Sequence, residues 1–284
     1  MNWKRILIGK WSWSRPFKTI AWVYGILLVI ALFFADSLIF QPPGTPYSIN
    51  EANFTLINDS DGSSIAAYFR PAGEGMPTLL WSHGNAENLS SVKHAMDGLN
   101  EMGFGVLAYD YPGYGDSPGK PSEEGCQDAI ALAYQYLVKD KKIPPSKIIL
   151  AGQSVGSGPT CWLAETHEHG AVLLISPFLS AFRTVTRIPL FPGDRFPNLH
   201  RIKNISTPLL VIHGKDDKVI PFAHGKKLFE LSPSDQKTFL PIPDAGHNDL
   251  FIKEPFRIFG ALDTLGKTVI LGNRPPQSRR DAGI

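Results

Sequence analysis

Cysteine is nearly absent. The 284 residues contain only Cys126 and Cys161, and neither belongs to a CxxC motif. That excludes a disulfide scaffold and a cysteine-rich zinc site, and both thiols are expected to be packed in the core. No HExxH or comparable histidine cluster is present, so no metal site is expected. Charge is sparse as well: Asp, Glu, Lys and Arg make up 19% of the residues, and the formal net charge is +2. A nucleic-acid binder held by a broad basic face is thereby excluded. No repeat at solenoid or propeller spacing occurs. Apolar residues are plentiful at 43%, ample for a sizeable core in a chain of this length.

The N-terminal region lacks charge of one sign, then charge altogether. Residues 1–18 carry Lys4, Arg5, Lys10, Arg15 and Lys18 and no acid. Thr19 to Ala35 carries no charge and shows no polar face, and the apolar character resumes at Ser37-Leu38-Ile39-Phe40. A bilayer span needs about 20 apolar residues. Cleavage of a signal peptide needs small residues, whereas Phe33-Phe34 precedes Ala35. A retained transmembrane anchor over 19–40 is therefore expected, after a basic cytoplasmic or interfacial segment, 1–18. Trp3, Trp11, Trp13 and Trp22 suit an interfacial belt. The positive-inside rule puts the N-terminus in the cytoplasm and everything after residue 40 on the opposite, periplasmic or luminal side. A linker is expected over 41–52, a catalytic domain over 53–271, and a disordered tail over 272–284, where Pro275-Pro276 and Arg279-Arg280 lie. Asn53, Asn58, Asn88 and Asn204 begin N-x-S/T triplets, which matter only in a secretory pathway.

The body alternates between short apolar runs and helical spacing. Strands are expected at Phe54–Asn58, Ser64–Phe69, Thr78–Ser82, Phe104–Tyr109, Lys147–Ala151, Ala171–Ile175, Pro208–Ile212 and Lys237–Ile242. Asp61-Gly62 marks a hairpin between the first two. Helices are expected at Leu89–Met102, Glu123–Asp140, Val155–Glu168, Ala223–Leu231 and Asp249–Leu265. Strands that alternate with helices predict an α/β class: eight strands, mostly parallel, covered by helices on both faces.

Gly152-Gln153-Ser154-Val155-Gly156 fits G-x-S-x-G in a strand–turn–helix setting, the context of a nucleophile elbow. Gly152 and Gly156 remove side chains that would collide at the sharp turn. A Gly-rich turn with a capping serine is the plain alternative. A serine hydroxyl needs a base, and His247 in Gly246-His247-Asn248-Asp249, on a loop after the last strand, is the best placed of eight histidines. The acid is sought between serine and histidine in chain order. Asp216 and Asp217, in His213-Gly214-Lys215-Asp216-Asp217, are both candidates, with Asp217 preferred. An oxyanion needs two N–H donors: the amides of Val155 and of Asn85, the latter in Ser82-His83-Gly84-Asn85-Ala86. His83 is expected to brace that loop rather than to titrate.

These motifs, with Tyr109-Asp110-Tyr111-Pro112-Gly113-Tyr114-Gly115, occur in one order across residues 50–265. In that order they resemble the serine hydrolases of the α/β-hydrolase fold. Within that fold the chain is similar to the membrane-anchored bud-emergence-type, depalmitoylase-like group. The resemblance puts the acid of the pattern His-Gly-x-x-Asp on Asp217. It implies hydrolysis of carboxylic esters or thioesters through an acyl-enzyme, with no cofactor. The partners implied are a membrane and an acyl substrate, whether lipid, small molecule or acylated protein. A serine aminopeptidase on the same fold is the alternative. Any cap over the site is confined to the roughly 30 residues between Ile175 and Pro208. Its apolar side chains, among them Phe178, Phe182, Leu190, Phe191 and Phe196, either line an acyl groove or cover the sheet edge.

Overall fold

A computed structural model describes residues 14–44, 47–59, 62–186 and 188–272. Most of the basic segment 1–18, Trp3, Trp11, Trp13, Asp61 and nearly all of the tail from 272 lie outside the described residues. Eight strands form one sheet: β1 (Phe54–Asn58), β2 (Ser64–Arg70), β3 (Thr78–Ser82), β4 (Gly105–Tyr109), β5 (Ile148–Gln153), β6 (Ala171–Ile175), β7 (Leu209–Gly214) and β8 (Lys237–Ile242). Their order is β1-β2-β4-β3-β5-β6-β7-β8. The β1–β2 and β2–β4 pairs are antiparallel; every pair from β4 through β3 to β8 is parallel.

The parallel strands are apolar because helices cover both faces. Every residue of β3, β4, β6 and β7 is buried. Side chains of alternate parity enter opposite cores. Leu80, Leu107, Leu150, Leu174 and Val211 pack on one face. Leu79, Val106, Ile149, Leu173 and Ile212 pack on the other. Helix starts follow their capping residues. Asn88 accepts from the Ser90 and Ser91 amides at the head of helix Leu89–Glu101, and Ser122 accepts from Gly125 N at the head of helix Glu123–Gln135. Asn88 is fully buried in that role, so its triplet is no accessible modification site.

Three helices differ from the sequence expectation, each for a local reason. The helix after β5 begins at Ser157, because Ser154 has φ 54° and a 3₁₀ turn, Ser154–Gly156, intervenes. A π-helical turn, Tyr136–Asp140, replaces the last turn of the helix from Glu123. The closing helix is two, Leu250–Lys253 and Pro255–Leu271, since Pro255 drives Glu254 to φ −138°, ψ 54°, out of the helical region.

Helix Arg15–Phe33 is long and apolar enough to cross a membrane. Phe17, Ile20, Trp22 and Phe33 are largely exposed. A short helix, Ala35–Ile39, continues it and ends in buried Phe40, whose ring meets Phe196 edge-on at 6.1 Å. The segment that follows is tied down rather than free. Gln41 N donates to Asn85 Oδ1 and Tyr114 OH, and Tyr47 OH donates to Asp110 Oδ2 at 2.6 Å.

Candidate active site

The loops after β3, β5, β7 and β8 meet at the carboxyl ends of the parallel strands, the edge where open α/β sheets bind ligands. Ser154 sits between β5 and helix Ser157–Thr166 with a left-handed backbone, φ 54°. Such a conformation is costly for a residue with a side chain and persists only where its surroundings impose it. Here a Cβ on Gly156 would run into the backbone of Ser82 and His83, and one on Gly152 would meet Gly156 O and Thr160 Oγ1. The two glycines therefore let the turn press against the end of β3. Ser157 Oγ donates to Ser154 O at 2.7 Å, and Asn198 Nδ2 donates to Ser157 Oγ at 3.3 Å, fixing the turn from behind.

His247 lies on the loop after β8. Its Nδ1–H donates to Asp217 Oδ2 at 2.7 Å, which leaves Nε2 to accept from Ser154 Oγ at 3.0 Å. Residues 154, 217 and 247 thus form one hydrogen-bonded chain across three loops. The loops can approach because Gly214 passes directly against the Ala245 and Gly246 carbonyls. Asp216 N donates to Ala245 O at 2.9 Å, and Gly246 N donates to Asp249 Oδ1 at 2.6 Å. Asp216 itself is exposed, whereas Asp217 is buried. Of the two adjacent carboxylates, only Asp217 reaches His247.

Asp217 has more partners than the sequence reading supplied. Oδ1 accepts from the Val219 and Ile220 amides, each at 2.8 Å. His213 Nε2 stands 3.3 Å from Oδ2 and also donates to Ile220 O at 3.0 Å. Burial alone would raise this carboxyl, but hydrogen bonds from His213, His247 and the Ile220 amide hold it well below the usual carboxylate range. His213 was legible only as part of the motif; its i, i+4 spacing to Asp217 was the available signal.

The loop after β3 carries Asn85, which borders the same cavity as Ser154 and Val155. Its side chain makes three hydrogen bonds: Nδ2 donates to Ile39 O at 2.6 Å, and Oδ1 accepts from Gln41 N at 2.9 Å and Tyr114 OH at 2.7 Å. His83 is buried, with Nδ1 donating to Gly84 O at 2.8 Å and Nε2 3.2 Å from Asp110 Oδ1. Tyr111 OH donates to His83 O at 2.6 Å. His83 holds the loop, as the sequence suggested. Cys126 and Cys161 are both buried, and burial pushes the Cys161 thiol up to about 12.

A cavity of about 600 Å³ opens above Ser154. The segment between β6 and β7 supplies one side of it, with Phe178, Phe182, Val185, Leu190 and Phe191. Phe196 instead sits fully buried beneath Gly158, where a Cβ would strike its ring. The cap residues thus divide between groove and core. Among the described residues lining the cavity none is acidic or basic. Among the described residues, no group of three or more His, Cys, Asp or Glu side chains could hold a metal ion.

A family model described as serine aminopeptidase, S33, matches residues 75–192. The alpha/beta hydrolase domain-containing protein aho-3 of Caenorhabditis elegans is 40% identical over 189 residues, 64% of this chain and 55% of the relative. Protein 17C of the same series from Mus musculus is 40% identical over 187 residues, 64% of this chain and 58% of the relative. This chain therefore spans little more than half the length of those two relatives. Protein 17B from Xenopus tropicalis is 39% identical over 206 residues, 69% of each chain. Among solved structures, a Pyrococcus furiosus esterase superposes with a TM-score of 0.67 at 17% identity, covering 80% of this chain and 98% of that one. At that identity the likeness speaks for the fold.

Proposed function

The chain belongs to the alpha/beta hydrolase domain-containing protein family, and from that premise we propose that it is a membrane-anchored serine hydrolase of acyl esters and thioesters. The observation that carries this reading is the chain Ser154 Oγ–His247 Nε2, Nδ1–Asp217 Oδ2, at 3.0 and 2.7 Å, at the floor of an apolar cavity. His247 Nε2 takes the Ser154 proton as Oγ attacks the acyl carbon. Asp217 fixes the imidazole tautomer and stabilises its positive charge. The Val155 and Asn85 amides receive the oxyanion. His247 then gives its proton to the leaving oxygen or sulfur. A water, deprotonated in turn by His247, attacks the acyl-enzyme; collapse returns the proton to Ser154 and frees the acid. No step calls for a cofactor.

The anchor in this reading is helix Arg15–Phe33, whose later turns also pack on the catalytic domain, with the N-terminus cytoplasmic and that domain seated against the opposite face of the membrane. Its exposed apolar surface supports an environment of lipid rather than water. A second reading, serine aminopeptidase, draws on the description of the matching family model. A substrate amine calls for an acidic partner, and the described residues of the cavity lining offer none. The test is a parallel assay with acyl esters, acyl thioesters and aminoacyl amides, together with a fluorophosphonate probe. Esters and thioesters should turn over and Ser154 should be labelled. Efficient release of amino acids from peptide N-termini would replace the esterase reading with the peptidase.

A further inference from the structure

The cavity above Ser154 has two walls of different origin. One is the segment between β6 and β7. The other is the N-terminal apolar region: Leu27, Ile30, Ala31, Ala35, Leu38 and Ile39. This region does not hang free of the catalytic body. Tyr24 OH donates to Leu190 O at 3.1 Å, and the Tyr24 and Phe191 rings stack with centroids 5.5 Å apart. Asp36 Oδ1 accepts from Arg195 Nε at 3.0 Å. Asn85 grips the chain on both sides of Phe40, through Ile39 O and Gln41 N. At 1.5 Å per residue, the contacts from Tyr24 to Ala31 extend roughly 10 Å along the helix. The same asparagine thus connects the helix to the loop that carries an oxyanion donor.

We propose that the apolar helix is one wall of the acyl-chain site, so that the chain of an ester held at Ser154 lies between Leu27, Ile30 and Ala31 and the facing Phe182 and Leu190. This rests on the hydrolase reading above and adds a specificity determinant to it. The occupant follows from continuity: the cavity begins at the nucleophile, where an acyl carbon must sit, and its lining is mostly apolar, with Asn85, Ser154, Thr184 and Thr186 as its polar members. Its volume of about 600 Å³ is within the range of roughly 300–1,000 Å³ of pockets that enclose small molecules. Ala31 and Ala35 are buried at this wall, one helical turn apart. Small side chains there leave room that larger ones would fill. Leu27 and Ile30 remain 45% and 37% exposed, so the groove is unsealed along the helix. A long chain can enter beside the helix without first crossing water.

The full-length protein in detergent is assayed with p-nitrophenyl acetate, octanoate and dodecanoate, and the readout is the ratio of kcat/KM values. A ratio cancels any loss of folded protein. Each buried methylene contributes about a fourfold gain, and Ala31→Phe should displace two or more of them. The octanoate-to-acetate ratio should therefore fall about tenfold or more. Leu27→Ala, which lengthens the groove, should raise the dodecanoate-to-octanoate ratio. Ratios equal to wild type in both variants would overturn the inference and leave the helix as an anchor alone. Wild-type turnover in Ser154→Ala would overturn the hydrolase reading and this inference with it; a fixed ratio overturns only the latter.

Discussion

The proposed mechanism gives Asn85 two roles, a side chain that ties the N-terminal region down and a backbone amide that receives the oxyanion, and Asn85→Ala tests whether they are separate. Its side chain makes three hydrogen bonds, to Ile39 O, Gln41 N and Tyr114 OH, at 2.6, 2.9 and 2.7 Å. A typical internal hydrogen bond contributes about 0.5–1.5 kcal/mol net. Gln41 N keeps Tyr114 OH at 3.1 Å as a second acceptor, so it is not stranded. Ile39 O loses its side-chain donor. The loss of stability should then be about 2 kcal/mol, which lowers Tm by roughly 4–8 °C in a domain of this size. Catalysis should respond differently. Removing an oxyanion donor costs about 10²–10³ in kcat, but Ala retains the backbone amide. With p-nitrophenyl acetate, kcat should fall less than tenfold while Tm falls as stated. Thermal denaturation and initial-rate assays on one preparation measure both. A kcat loss of 10² or more with little change in Tm would refute the assignment of the donor to the backbone.

Asp217→Asn should cost about 10⁴ in kcat by reversing the histidine tautomer, whereas Asp216→Asn, exposed and away from His247, should change kcat by less than twofold; steady-state kinetics would expose a reversed pair. The Asp217 carboxyl is held well below the usual range by its hydrogen bonds. A carboxyl depressed in the folded state adds stability above its unfolded value near 3.9, and that stability is lost as pH falls toward the folded value. Wild-type Tm should therefore drop more steeply below about pH 5 than that of Asp217→Asn, and parallel Tm–pH curves would contradict this. Gly156→Ala should destabilise the domain by about 3 kcal/mol or more, because the obstructing atoms are backbone of Ser82 and His83; urea midpoints report it. Protease added outside intact cells or spheroplasts should reach the catalytic domain and spare residues 1–18, and full protection of the domain would place it on the cytoplasmic side.

The sheet was legible because each strand is a short apolar run between turn residues; Phe54–Asn58, Thr78–Ser82, Ala171–Ile175 and Lys237–Ile242 end where the sequence ends them. The elbow was legible because its requirement is local: two glycines around a serine between strand and helix. Asp217 over Asp216 followed from a motif, and burial supplies its physical reason. The break before Pro255 had a readable signal, a proline at the head of a helix. What the sequence left hidden is contact between distant segments. Tyr24 meets Leu190 across 166 positions, and Asn85 meets Ile39 across 46. Uniform hydrophobicity conceals which face of the N-terminal apolar region packs, and a local trace is Ala31 and Ala35, four apart, where small residues permit close approach.

The central claim is that acyl transfer runs through Ser154. The most direct measurement is mass spectrometry of protein acid-quenched during turnover of p-nitrophenyl octanoate. An octanoyl adduct on the peptide that contains Ser154, absent from Ser154→Ala together with turnover, is the predicted result. Octanoate release by Ser154→Ala at the wild-type rate, or an adduct on a different peptide, would contradict it.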